Sequence, residues 1–127
     1  ALDVGAKCAT DITGFGLLGH ASHIARASRV TIRIVVKQVP LLPGAREAAI
    51  RGVRTGGADR NLAYLAPMVD WGAAGEVDRV LMIDPQTSGG LLVAVPPDKV
   101  ARYVSLVPEA VEIGEVLSPG PMGLVLA

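Results

Sequence analysis

Cysteine is almost absent from this sequence: Cys8 is the only one. A single cysteine forms no internal disulfide, which excludes a small stapled scaffold of the secreted kind. Aromatic residues are nearly as scarce, at 3%, so a core has to be assembled from Val, Leu, Ile and Ala. Excess charge of one sign is missing, with 12 basic residues against 12 acidic ones. The basic footprint of a nucleic-acid binder is therefore lacking. Solubility then rests on mixed surface charge, or on a partner that covers part of the surface. No apolar run approaches the roughly 20 residues of a membrane span. The opening Ala1-Leu2-Asp3-Val4-Gly5 has no basic stretch followed by an apolar one, as a signal peptide would. Without an initiator methionine the chain reads as processed or trimmed. These absences together predict a cytoplasmic α/β domain or fragment with no nucleic-acid or membrane partner.

What is present fits that frame. A length of 127 residues with 50% apolar content suits a single domain spanning 1–127 with a core of its own. Leu17, Ala21, Ile24 and Ala25 recur at the spacing of one helix face, ending near Ser28. Val30, Ile32, Ile34 and Val36 alternate with Thr31 and Arg33 as a half-buried strand does. Pro43 is placed to open a short helix striped with Ala45, Ala48 and Ala49. Gly56-Gly57 marks a loop. A helix then carries Leu62, Leu65, Ala66 and Val69, with Asp59 as its cap and Gly72 as its stop. Val80 to Ile83 reads as a buried strand, Asp84 to Gly90 as a turn, and Leu91 to Val95 as a second buried strand. Asp98 is placed to cap a helix with Val100, Val104 and Val107. Strands at Val111–Val116 and Leu124–Leu126 complete the chain. Such an order is met by a layered mixed β-sheet with packed helices, an α/β (α+β) class.

Two segments carry unusual chemistry. In Thr10-Asp11-Ile12-Thr13-Gly14-Phe15-Gly16-Leu17-Leu18-Gly19-His20 the glycines satisfy G-x-G-x-x-G. A dinucleotide site is rejected. That fingerprint needs a strand running into the first glycine and an acidic residue about 20 positions on, and the next strand ends at Val36-Lys37-Gln38. The glycines and a helix start still favour an anion such as phosphate. Asp11 beside phosphate needs a cation between them, and a hard ion such as Mg²⁺ takes both kinds of oxygen. The alternative is that Asp11 or Thr13 only caps the helix and the glycines only allow tight packing. The second segment, Asp84-Pro85-Gln86-Thr87-Ser88-Gly89-Gly90, offers hydroxyls and paired glycines, or is simply a structural turn. His20 and His23 lie three apart with no third ligand close in sequence. His20 is expected to shape the motif and His23 to lie at the surface. Of Arg46, Arg51, Arg54 and Arg60 around Gly56-Gly57, Arg60 is the candidate for a phosphate contact.

Taken together, the first segment and Pro85-Gln86-Thr87-Ser88-Gly89-Gly90-Leu91-Leu92 closely resemble two signatures of the selenophosphate synthetases (selenide, water dikinases). Gly56-Gly57-Ala58-Asp59-Arg60-Asn61 resembles a third, with Ala58 where the family usually has Thr. The three come in family order over essentially the whole chain. Related aminoimidazole ribonucleotide (AIR) synthetases have a further Gly where Phe15 stands. The resemblance implies a carboxy-terminal, AIR synthase-like domain with some likeness to a ferredoxin fold. It implies an enzyme making selenophosphate, AMP and phosphate from ATP, selenide and water, for selenocysteine and seleno-tRNA. It further implies an absent amino-terminal ATP-binding domain that holds the catalytic Cys or selenocysteine and Lys, and a homodimeric full-length protein. No catalytic residue is then expected in this chain, which alone would be inactive. Asp11 maps onto the family's Mg²⁺ ligand. Thr10, Thr13, Gly14, Gly16, Arg60, Asn61, Thr87, Ser88, Gly89 and Gly90 are the expected ATP-facing positions. The rival readings are another ATP-using enzyme of the same superfamily, or a non-catalytic anion-binding module.

Overall fold

β-Branched and leucine-rich segments converge on a four-stranded mixed sheet. The computed structural model of the chain describes all of residues 1–127. Its strands are β2 (Thr31–Ile34), β3 (Val69–Asp70), β5 (Gly114–Leu117) and β6 (Leu124–Leu126). They are ordered β3-β6-β2-β5, with β2 parallel to β6 and antiparallel to β5. A separate two-stranded ribbon pairs β1 (Cys8–Asp11) with β4 (Leu91–Ala94), antiparallel, Asp11 opposite Leu91 and Thr10 opposite Leu92.

Helix α1 (Gly16–Ser28) lies over β2 and β6, as its apolar spacing predicts. Leu18 and Ala21 of this helix are fully buried, in one core cluster with Leu124 and Ile34 of the sheet. Arg29 closes the helix in the left-handed region, at φ 54°, and its N–H returns to the carbonyls of Ala25 and Arg26. Thr31 fixes the start of β2. Its Oγ1 donates to Met122 O at 2.8 Å and accepts from Gly120 N–H at 2.9 Å, which ties the strand to the Pro/Gly turn before β6.

Helix α4 (Glu76–Ile83) replaces the strand expected at Val80–Ile83. An apolar run of four residues suits either element. Here the helix starts earlier, with Glu76 and Asp78 in its first turn, where carboxylates suit the helix dipole. Met82 and Ile83 then face α1 in the core. Arg79 sits over the Trp71 ring, 5.3 Å from its centroid, so the one tryptophan packs beside this helix.

The glycine pair expected as a loop opens a helix instead. Helix α3 (Gly56–Leu65) begins at Gly56-Gly57, after Thr55 in extended conformation. Asp59 lies inside the first turn and pairs with Arg54, so it does not cap the helix. The helix ends before Pro67, which has no N–H to continue it, and Val69 belongs to β3 rather than to the helix. Helix α2 (Ala45–Ile50) is present, with Gly44 rather than Pro43 at its edge and no buried residue. Helix α5 (Val100–Leu106) follows a short 3-10 turn that contains Asp98, again without a side-chain cap. The strand expected from Val111 starts only at Gly114. Leu91–Ala94 is a strand, but Leu91 is 73% exposed, so it is not a buried one.

Candidate functional site

The unforeseen strand β1 delivers the first glycine loop. It runs to Asp11, and the chain turns through Ile12 to Phe15 into α1. A strand, a glycine loop and a helix do therefore follow one another. The dinucleotide reading still fails, because β1 and β2 lie in different sheets and form no parallel βαβ unit.

Neither Asp11 nor Thr13 caps α1. Phe15 holds the cap position, and no side chain bonds to the helix end. Thr13 is used otherwise: its N–H donates to His20 Nε2 at 3.0 Å, and its Oγ1 lies 3.0 Å from the same nitrogen. Its Nε2 is thus the acceptor for the Thr13 N–H. His20 shapes the motif, as expected.

The second loop is fastened to the first through backbone. Ile12 N–H donates to Gly90 O at 2.9 Å, and Gln86 N–H donates to Thr13 O at 3.0 Å. Gly89 is pressed against the Ile12 carbonyl, where a side chain would collide. Gly16, at φ +68°, is equally confined. A Cβ there would stand 2.7 Å from the Ile83 carbonyl carbon and 2.9 Å from Asp84 O.

The third motif closes the corner from the other side. Gly57 abuts Pro85, with room for no side chain: a Cβ would come 2.9 Å from Pro85 Cγ. Asn61 is buried, and its Nδ2 donates to Gly14 O at 3.0 Å and to Ile83 O at 2.9 Å. All three motif segments thus meet at one place. Arg60 is set apart from this network, exposed on α3 and without an ion pair, whereas Arg46 and Arg54 are engaged by Asp78 and Asp59.

What remains open at the corner is specific. Asp11, Gly14, Thr87, Ser88 and Gly90 are exposed, and nothing lies within 4 Å of a Cβ built on Gly14 or Gly90. Thr10 is half-buried, its Oγ1 donating to Asp11 O at 3.1 Å. Phe15 is 51% exposed and forms an edge-on cluster with His20, His23 and Tyr64. Burial first, then His20 and Arg26, push the His23 pKa below the ordinary histidine value. Burial alone raises the Asp84 carboxyl above the ordinary carboxylate value. Asp84, Pro85, Gln86 and His20 thus join the corner beside the expected positions. No three His, Cys, Asp or Glu side chains converge on one point, and Asp11 stands exposed. An exposed carboxylate is a donor type that Mg²⁺ takes together with phosphate oxygens.

A mixed sheet with a ribbon that fastens glycine loops beside one exposed carboxylate defines an α/β domain. Residues 1–126 match the family described as AIR synthase related protein, C-terminal domain, and the chain belongs to that family. It is 37% identical over 130 residues to a selenide, water dikinase of Geobacter metallireducens, covering 99% of this chain and 38% of that protein. A selenide, water dikinase of Caldanaerobacter subterraneus subsp. tengcongensis is 50% identical over 99 residues, 76% of this chain and 28% of its own. One from Pseudomonas aeruginosa is 42% identical over 119 residues, 91% of this chain and 32% of its own. The chain thus spans 38% or less of the length of these curated relatives. Among solved structures, thiamine monophosphate kinase from Aquifex aeolicus matches with a TM-score of 0.51 and 20% identity, over 95% of this chain and 31% of that one, a likeness of fold. No helix is long and apolar enough to cross a membrane.

Proposed function

We propose that this chain is the C-terminal domain of a selenophosphate-forming kinase, converting ATP, selenide and water to selenophosphate, AMP and phosphate. The reading rests on one observation above all. Three motif segments, distant in sequence and shared in kind with selenide, water dikinases, are fastened into a single corner whose open groups are one carboxylate, two hydroxyls and bare backbone.

In this reading the corner faces ATP held by an amino-terminal domain carried on the rest of a longer, homodimeric, cytoplasmic protein. Gly14 and Gly90 let phosphate oxygens approach the backbone, and Thr87 and Ser88 offer hydroxyl donors. Arg60, exposed on α3 and without an ion pair, is the candidate guanidinium for the same phosphates. Asp11 is a Mg²⁺ ligand. The bound ion would neutralise phosphate charge and stabilise the charge that shifts during transfer. The chain alone is expected not to turn over ATP, because in this reading the catalytic Cys or selenocysteine and Lys belong to the amino-terminal domain.

Phosphorus NMR on the full-length protein with ATP, Mg²⁺ and selenide tests the assignment. Native protein is expected to form selenophosphate, and folded Asp11→Ala is expected to form none. ATP consumption without selenophosphate would move the acceptor to another molecule and remove the selenium reading.

A further inference from the structure

The open residues of the corner are held by backbone bonds and by two side chains that bond to backbone. Asn61 is buried on α3, 47 residues from Gly14 in sequence, and 22 from Ile83. It spends both hydrogens of its carboxamide on the carbonyls of these two residues. One carbonyl belongs to the first loop and the other to the end of α4, where the second loop starts. His20 holds the neighbouring residue. From the second turn of α1 its Nε2 takes the Thr13 N–H, while Thr13 Oγ1 stands at the same 3.0 Å. Thr13 and Gly14 are consecutive, and they follow Asp11 by two and three residues. Between them the two side chains fix one backbone N–H and one backbone carbonyl on adjacent residues.

We propose that Asn61 and His20 are positioning residues for the metal and phosphate site. They set the path of the backbone from Asp11 to Gly16, and through it where the Asp11 carboxylate stands relative to the Thr87–Gly90 turn. This builds on the reading of the corner as an ATP-facing site, and it gives Asn61 a role inside the fold rather than on the nucleotide. Neither side chain is interchangeable with a filler of equal size. Leucine at 61 leaves two inward carbonyls without donors. Leucine at 20 leaves the Thr13 N–H without an acceptor. Glutamine at 20 is different, because its side-chain carbonyl stands close to where Nε2 stood and accepts the same N–H.

The experiment uses the full-length protein and two readouts. The first is steady-state selenophosphate formation with ATP varied, for native protein, His20→Leu, His20→Gln and Asn61→Leu, each checked for native-like thermal unfolding. Both leucine variants are expected to lose roughly tenfold to a hundredfold in kcat, as loss of a supporting hydrogen bond does at metal sites. ATP KM should change less than kcat, and His20→Gln should recover most of the loss. The second readout is amide hydrogen exchange at Thr13 and its neighbours, which needs no turnover. Exchange should be slow in native protein and His20→Gln, and faster in both leucine variants. Folded leucine variants with native kcat, or with unchanged exchange at residues 12–16, overturn the proposal. If native protein makes no selenophosphate, the functional reading fails, and the exchange data alone decide whether these side chains hold the loop. If Asn61→Leu does not fold, the His20 pair decides.

Discussion

The four-stranded sheet and the two-stranded ribbon are held in opposite ways. The sheet is held by burial. Leu124 is fully enclosed, Ile34 and Leu126 nearly so, and α1 seals the layer from above. The ribbon that carries the motifs alternates half-buried and exposed residues along β1, and its partner strand opens on exposed Leu91. Its loops are fixed by bonds from backbone to backbone and from Asn61 and His20 to backbone. A two-stranded ribbon is weak alone, and these fastenings add to the packing of Ile12 and Leu92 against the core. Leu124, Ile34 and Leu126 contribute burial, whereas Asn61 and His20 act on the loop beside Asp11 through hydrogen bonds.

That contrast can be attacked from either side. The largest effect belongs to the sheet. Leu124→Ala should cost roughly 2–5 kcal/mol in denaturant unfolding, because the cavity it leaves is fully enclosed. Next come the glycines of the first loop, which should divide sharply. Gly16→Ala forces a side chain into a positive-φ position against the Ile83 carbonyl. It should destabilise by about 2–4 kcal/mol. Gly14→Ala meets open space and should change stability by less than about 0.5 kcal/mol. Equal costs at the two positions would break the distinction between framing and open glycines.

The smallest effect is electrostatic. Burial raises the Asp84 carboxyl above its ordinary 3.8. Between that value and the raised one the folded chain holds a proton that the unfolded chain has lost, so stability falls as pH rises through this window. Asp84→Asn should remove that fall. Thermal unfolding of native protein and variant should therefore differ in favour of the variant near neutral pH, with the gap closing on acidification.

Much of this was legible in the sequence, and the failures have physical causes. The spacing of Leu17, Ala21 and Ala25 specified α1, since thirteen residues give the helical period room to declare itself. Val80–Ile83 was too short to choose between helix and strand. The acidic first turn at Glu76 and Asp78 was the overlooked signal. Strand β1 had almost no signal of its own, because Cys8-Ala9-Thr10-Asp11 becomes a strand only through pairing with Leu91–Ala94. The three motifs were visible as motifs. That Gly14 and Gly90 are open while Gly16, Gly57 and Gly89 are packed was not, because packing against Ile83, Pro85 and Ile12 exists only after folding. Asn61 shows the same limit: its residue type announces a hydrogen-bonding group, and only the fold shows that the partners are Gly14 and Ile83.

The exposed Asp11 carboxylate is proposed as the metal ligand at the nucleotide. Electron paramagnetic resonance of Mn²⁺, standing in for Mg²⁺, measures this directly in the full-length protein with ATP, for native protein and Asp11→Asn. The variant should stay folded and bind Mn²⁺ at the nucleotide site at least about tenfold more weakly; equal Mn²⁺ affinity in the two proteins would mean that Asp11 holds no metal.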